Sequence, residues 1–407
     1  MRSACLLLLV SFFLLCCTTP LQGNLQDSAK SDVAHRKDKI SLEIEPGTYK
    51  LELIDSEFKV GSAIATKYFC ETNSQYYQVI VDHFNIVTFE NDLKKRNWER
   101  SKKNEGFYQR RNVNLAFDML DSLNIELRGH RIMEAPSKKL AKDITDKKRY
   151  KQELIRHIVE KVNVTKDYID TWDFNNHSAR TSLEDFYGFG IYKEIQDTIL
   201  AIHPKCKFFV NEGRTLSYSD TKNRAEAYKE KIDRMLKAGV QLDGIGFMGH
   251  FKDDAPFSYD EIKQMLDDFS TFDLPILITE FDFRFSKDRL TSDLTKKEAK
   301  WQAEESTKLL KLFYEHPGVK GIVLWGFWEK RHWFPSAALY DSQWNLRQNG
   351  KEILNLFDSW TKFDSTLVID KKVTQLELLK GKYKITNEET EQDWYFSSGD
   401  EKVRIAN

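Results

Sequence analysis

The groups in this chain that could do chemistry are few in kind. The carboxyls are Glu90, Glu212, Glu280 and Asp282, the imidazoles His130, His177 and His250, the amides Asn91, Asn176 and Asn211, and the indoles Trp325 and Trp333. Carboxyls and imidazoles transfer protons or attack near neutral pH, amides hydrogen-bond hydroxyl groups, and flat rings stack on the apolar faces of sugars. Each residue alone reads equally well as a solvated loop position. What unites them is place, because nearly all follow directly on a short apolar run.

Those runs are residues 59–64, 86–89, 125–129, 171–175, 207–211, 244–248, 276–279 and 321–325. Between them lie longer stretches with helical spacing, such as Leu115, Met119 and Leu123, or Ile191, Ile195, Ile199 and Ile202. Eight alternating β and α units imply an α/β fold with a parallel sheet closed into a (β/α)8 TIM barrel, whose reactive groups sit where the strands end. Two flanking arms have another character. Residues 39–55 alternate apolar and polar on both sides of Pro46-Gly47 and read as a β-hairpin, and residues 366–385 look alike. Gly381-Lys382-Tyr383-Lys384-Ile385 echoes Gly47-Thr48-Tyr49-Lys50-Leu51, so the arms are expected to pair into one small β-module.

Residues 1–23 read as a signal peptide: Arg2, an apolar stretch from Ala4 to Cys17, then a turn-prone exit ending at Gly23. A secreted chain is expected, divided into signal 1–23, β-arm 24–56, barrel 57–361 and β-arm 362–407. No later stretch is long and apolar enough to anchor in a membrane. With 62 basic and 63 acidic residues, nothing in the charge favours nucleic acid. Aromatic residues make up 13%, which suits a large core as well as sugar binding. Only Cys70 and Cys206 lie beyond the signal segment, on opposite ends of the expected barrel, so both should be free. The chain carries no phosphate-binding glycine loop and no Cys or His cluster of metal spacing, and no metal or cofactor is expected. His203 and His332 read as surface residues. Asn163-Val164-Thr165 and Asn176-His177-Ser178 are glycosylation sequons.

The strand ends carry a family resemblance. Phe89-Glu90-Asn91-Asp92-Leu93-Lys94, Arg128-Gly129-His130, Trp172-Asp173-Phe174-Asn175-Asn176-His177, Ile278-Thr279-Glu280-Phe281-Asp282 and Trp325-Gly326 with Trp333 stand in the order of the motifs of glycoside hydrolase family 10, the xylanase family. The resemblance implies that Glu280 is the nucleophile, oriented by His250, and that Glu90, Asn91, Lys94 and His130 hold the sugar before the scissile bond. It further implies that Asn176 binds the 2-hydroxyl and that Trp325 and Trp333 stack on sugar rings or wall the pocket. The implied partner is a β-1,4-linked, xylan-like polysaccharide, bound by a monomer.

Three positions depart from the family pattern. His177 stands where the family has its acid/base glutamate, Glu134 where it has a tryptophan, and Met248 where it has a glutamine. Retaining hydrolysis uses two carboxyls, one attacking and one exchanging protons with the leaving oxygen and then water. Two classes therefore stand open. One is a slow or altered β-1,4-glycanase with His177, Glu134 or Glu212 as acid; the other is a non-catalytic member that binds polysaccharide or a partner in the retained cleft. If His177 faces Glu280, the anionic neighbour is expected to raise its pKa and favour imidazolium.

Overall fold

The computed structural model describes residues 33–103, 108–133, 144–181, 183–217, 221–285 and 293–405. The expected signal peptide, Glu134 and the first residues of the N-terminal arm lie outside the described residues.

Eight strands build the barrel: β3 (Lys59–Ile64), β4 (Ile86–Phe89), β5 (Glu126–Arg128), β6 (Thr171–Asn176), β7 (Lys207–Gly213), β8 (Gly244–Met248), β10 (Ile276–Arg284) and β11 (Val319–Leu324). All pair in parallel, in the order β5-β4-β3-β11-β10-β8-β7-β6. Parallel bridges Gly129↔Trp172 and Met133↔Asn175 join β5 to β6 and close the ring. Closure depends on a glycine. A Cβ at Gly129 would lie 2.2 Å from two carbons of the Trp172 indole, so no side chain fits where the last two strands meet.

Most strands are buried along their whole length, for example Ile86–Phe89 and Gly244–Met248, as a parallel sheet covered by helices requires. The helix Gly190–Leu200 buries Ile191, Ile195 and Ile199 against the barrel. In the helix Tyr108–Ser122 the buried stripe is Val113, Ala116, Phe117 and Leu120, while Leu115 is exposed and Met119 and Leu123 only flank the core.

The arms differ from the expected hairpins. β1 (Lys37–Glu43) and β2 (Gly47–Ser56) do not pair with each other. β1 lies between β13 (Val373–Leu379) and β16 (Lys402–Arg404), and β2 between β12 (Asp364–Ile369) and β14 (Gly381–Asn387), which carries β15 (Asp393–Ser397) at the edge. Pro46-Gly47 is thus a corner between two sheets. Ile40, Leu42 and Leu378 of one sheet and Tyr49, Leu51, Tyr383 and Ile385 of the other share one apolar core, so the arms make a small sandwich. The five-residue echo has a structural counterpart: Tyr49 and Tyr383 are both buried, and each hydroxyl donates to the carbonyl four residues upstream, Glu45 or Leu379, at 2.9 Å.

Arg36 ties this sandwich to the barrel. Its guanidinium donates to the carbonyls of Tyr314 (2.8 Å), His316 (2.9 Å) and Val319 (2.6 Å), where β11 begins. The opposite rim, where the strands end, is left to the polar groups. Cys70 and Cys206 are free thiols.

Candidate active site

Glu280 sits in the middle of β10 and is 6% exposed. Beyond β8 the chain turns at Gly249 and pairs again with β10 as β9 (His250–Lys252), with His250 opposite Asp282. That register puts His250 between two carboxylates: Nε2 is 3.1 Å from Glu280 Oε2 and Nδ1 is 2.9 Å from Asp282 Oδ2. Ionised carboxylates only accept, so both ring nitrogens donate and the ring is an imidazolium. Burial would lower its pKa, but the two carboxylates outweigh it and hold it at about 9. Glu280 feels the reverse. Burial would raise its pKa, yet the hydrogen bond and charge of His250, with His130 and His177 behind, hold it below the usual carboxylate range. Trp333, 45% exposed, donates its indole N–H to Asp282 Oδ2 at 2.7 Å, and its ring lies 4.8 Å from His250.

Asn211, on β7, is the second support of Glu280. Its Nδ2 donates to Asn176 Oδ1 at 2.9 Å and to Glu280 Oε1 at 3.4 Å, while Thr279 Oγ1 donates to Asn211 Oδ1 at 2.8 Å. A Cβ at Gly246 would come within 2.6 Å of Asn211 Oδ1, so that glycine leaves room for the amide. Asn176 is buried, which leaves its sequon inaccessible to modification.

A second cluster lies beside the first. Arg128 and Asp173 form a buried two-contact ion pair, and His130 Nδ1 donates to Asp173 Oδ2 at 2.8 Å. Burial would raise the Asp173 pKa, but Arg128 and His130 bring it down to about 2. The His130 ring packs edge-on against Trp325 at 5.0 Å, and the Lys94 ammonium lies 5.8 Å from the centre of the same indole. Lys94 Nζ also donates to Asn91 Oδ1 at 3.0 Å, and Glu90, next along, accepts from Arg331 at 3.2 Å. His130, Trp325 and Glu90 to Lys94 follow the ends of β5, β11 and β4, so the two clusters lie on the same rim of the barrel.

His177 follows β6 in the left-handed conformation, φ 54° and ψ 50°, where histidine, asparagine and aspartate are enriched. The turn after it is fixed by Asn175 Nδ2 donating to Ser178 Oγ, by Thr181 Oγ1 donating to Asn175 Oδ1, and by Glu212 Oε2 accepting the Ala179 amide at 2.6 Å. Contrary to the sequence expectation, His177 is not favoured as imidazolium. Burial lowers its pKa to about 4; the Glu280 charge opposes this, but Arg180, Arg131 and His130 add to it. Its Nδ1 is buried without a hydrogen-bond partner among the described residues. Glu212 is fully buried, and its carboxylate accepts both the Ala179 and Gly213 amides, so it is committed to holding this turn. Burial raises its pKa against those amides.

All ten residues expected from the sequence thus border one mouth: Glu280, His177, Asn176, His250, Trp333, His130, Trp325, Lys94, Asn91 and Glu90. Two further expectations fail. His203 and His332 are buried, not surface residues. His203 is held by the Ile169 carbonyl and Asp170, and His332 Nδ1 accepts the Phe334 amide at 3.0 Å. Sequence reasoning also gave no role to Asp173, Arg331 or the fully buried Lys161, whose Nζ donates to the Arg131 carbonyl at 2.7 Å, and named Asn211 only as an amide at a strand end. Asp173 and Asn211 carried a signal, being polar residues inside apolar runs; Lys161 and Arg331 stand in charged stretches and carried none.

The geometry can be set beside known proteins. Residues 51–356 match the model of glycosyl hydrolase family 10. Among curated relatives, the anti-sigma-I factor RsgI6 of Acetivibrio thermocellus is 28% identical over 328 residues, covering 80% of this chain and 40% of that protein. Endo-1,4-beta-xylanase 1 of Arabidopsis thaliana is 26% identical over 317 residues, covering 76% of this chain and 31% of that protein. The chain therefore spans less than half the length of these relatives. Xylanase 10B of Thermotoga petrophila, solved in complex with xylobiose, is similar in fold, with a TM-score of 0.61 at 22% identity over 74% of this chain and 94% of that one. A family match that begins at β2 and runs through the last barrel strand, together with a closed eight-stranded barrel, establishes that the chain belongs to glycosyl hydrolase family 10.

Proposed function

We propose that this is a secreted barrel that binds xylan-like, β-1,4-linked polysaccharide and keeps a working nucleophile, Glu280, without a competent acid/base partner. The observation that carries the reading is the opposite setting of two histidines: His250 bridges Glu280 and Asp282 with both nitrogens donating, is charged and holds the nucleophile, whereas His177, where the family resemblance expects a proton donor, has its Nδ1 buried without a partner among the described residues and is held neutral. Glu280 is ionised, buried and oriented from both oxygens, as attack on an anomeric carbon requires. Glu212, the carboxyl that could have served instead, is bound to two backbone amides. Secretion is supported by the apolar stretch after Arg2, and the substrate class by the endo-1,4-beta-xylanases among its relatives.

In the first step Glu280 attacks C1, the glycosidic C–O bond breaks and a glycosyl ester forms; the leaving oxygen of a polysaccharide must take a proton as it departs, whereas an aryloxide need not. Purified protein is therefore expected to cleave an activated aryl β-xylobioside while releasing no new reducing ends from xylan. Comparable turnover of both would show that the acid is present after all. Failure to bind or cleave either would remove the carbohydrate reading.

A further inference from the structure

The loops after β4 and β11 meet above the end of β3, the strand that lies between them in the sheet. Arg331 closes the short turn Glu329–Arg331, which is pinned by the Glu329 amide on the Tyr340 carbonyl (3.0 Å) and by the Glu329 carboxylate, which accepts from the Ser342 amide (2.9 Å) and from Arg347 (2.6 Å). From this fixed base the Arg331 guanidinium reaches Glu90 at 3.2 Å and lies 5.9 Å from the Tyr68 ring. Glu90 is fixed in its turn, its amide donating to the Ile64 carbonyl at 2.9 Å. The ion pair is a bar between two rigid supports, with side chains 36% and 23% exposed.

The bar bounds a pocket of about 380 Å³ lined in part by Lys67, Tyr68, Asn91 and Asp92. That volume is at the small end for a ligand site. A row of contacts leads to this pocket, His130 on Trp325, Lys94 over the same indole, and Lys94 on Asn91, which lines it. Arg331 stands at the end of that row, against Glu90 and beside Asn91 in the pocket lining. Arg331 Nε is also buried without a hydrogen-bond partner among the described residues.

We propose that Arg331 is a specificity-determining residue that walls off the glycone end of the mouth, so that the cleft seats the non-reducing terminus of a β-1,4-linked chain and not an internal stretch. The inference rests on the carbohydrate reading above and deepens it. The exposed part of the Arg331 guanidinium meets the terminal sugar, and the Arg331–Glu90 bar excludes the next one. Lengthening a ligand at its non-reducing end then adds nothing.

The test is calorimetric titration of the full-length protein with xylotriose and xylohexaose, for the natural chain, Arg331→Ala and Arg331→Met. The Met variant keeps most of the stem's bulk while removing the charge and the donors, and so guards against a folding failure in the Ala variant. The ratio of xylohexaose to xylotriose affinity is expected to rise about 10-fold or more in Arg331→Ala relative to the natural chain, with weaker xylotriose binding in both variants. Binding by the natural chain with a length ratio unchanged in both variants would overturn the wall. No binding of either sugar by the natural chain would overturn the carbohydrate reading and the wall with it.

Discussion

His250 and His177 both feel the charge of Glu280, and their surroundings give them opposite protonation. His250 lies between Glu280 and Asp282 with both nitrogens donating, and keeps its proton to about pH 9. His177 has one buried nitrogen without a partner among the described residues and arginines at positions 131 and 180 near by, and it sheds its proton down to about pH 4. Both feel the charge of Glu280, and for His177 that attraction is the weaker influence. Proximity to a carboxylate therefore does not make a histidine an acid; desolvation without a hydrogen-bond acceptor outweighs it. One half of the mouth is built to hold an anion in place, and the other withholds a proton.

The largest expected effect breaks the anion-holding half. Glu280→Gln should slow the burst of aryloxide released from an aryl β-xylobioside by at least about 10,000-fold, because an amide is not a nucleophile; a burst within about 100-fold of the natural chain's rate would assign attack to another group. A smaller effect repairs the other half. His177→Glu should raise reducing-end release from xylan by at least about 10-fold, a cautious fraction of the usual general acid/base contribution. Glutamate must then adopt φ 54°, at a strain of about 1–2 kcal/mol, so a melting curve should accompany the assay. No gain in a folded, ligand-binding variant would mean that Met248 or the turn itself also blocks the reaction.

The smallest effect is on stability. His250 has its folded pKa raised from 6.5 to about 9, so its contribution is fully present below pH 6.5 and is lost as pH rises through 9. His177 and His332 have theirs lowered to about 4, so the unfolded chain binds more protons between pH 4 and 6.5 and stability falls as pH drops through that window. The contribution of these three groups should therefore peak near pH 6.5. A chemical-denaturation series from pH 4 to 9 should show it, and His250→Gln should remove the alkaline fall, on the order of 3 kcal/mol, while leaving the acid one. An alkaline fall that persists in His250→Gln would take His250 out of the account.

The barrel and its mouth were legible because each strand and the polar group at its end lie side by side in sequence. Residues 59–64, 86–89 and 244–248 match β3, β4 and β8 residue for residue. The sandwich was less legible. Pro46-Gly47 has the local look of a hairpin turn, but the partners of β1 are β13 and β16, near the other end of the chain, and no local pattern records them. The charge on His177 was hidden for the same reason. Glu280 was visible as a neighbour through the family motifs, whereas the burial of the ring and the approach of Arg131 and Arg180 depend on the folded turn. His203 and His332 look like surface residues in sequence because nothing local shows the carbonyl and amide that satisfy them inside.

The central claim, a working nucleophile without an acid/base partner, is met most directly by mass spectrometry of the protein shortly after mixing with an activated aryl β-xylobioside. The ester should form, because the aryloxide leaves unaided, and should then persist, because no base activates water; the expected result is a stoichiometric xylobiosyl adduct that peptide mapping places on Glu280. Rapid turnover with no accumulating adduct, or an adduct on any other residue, would contradict it.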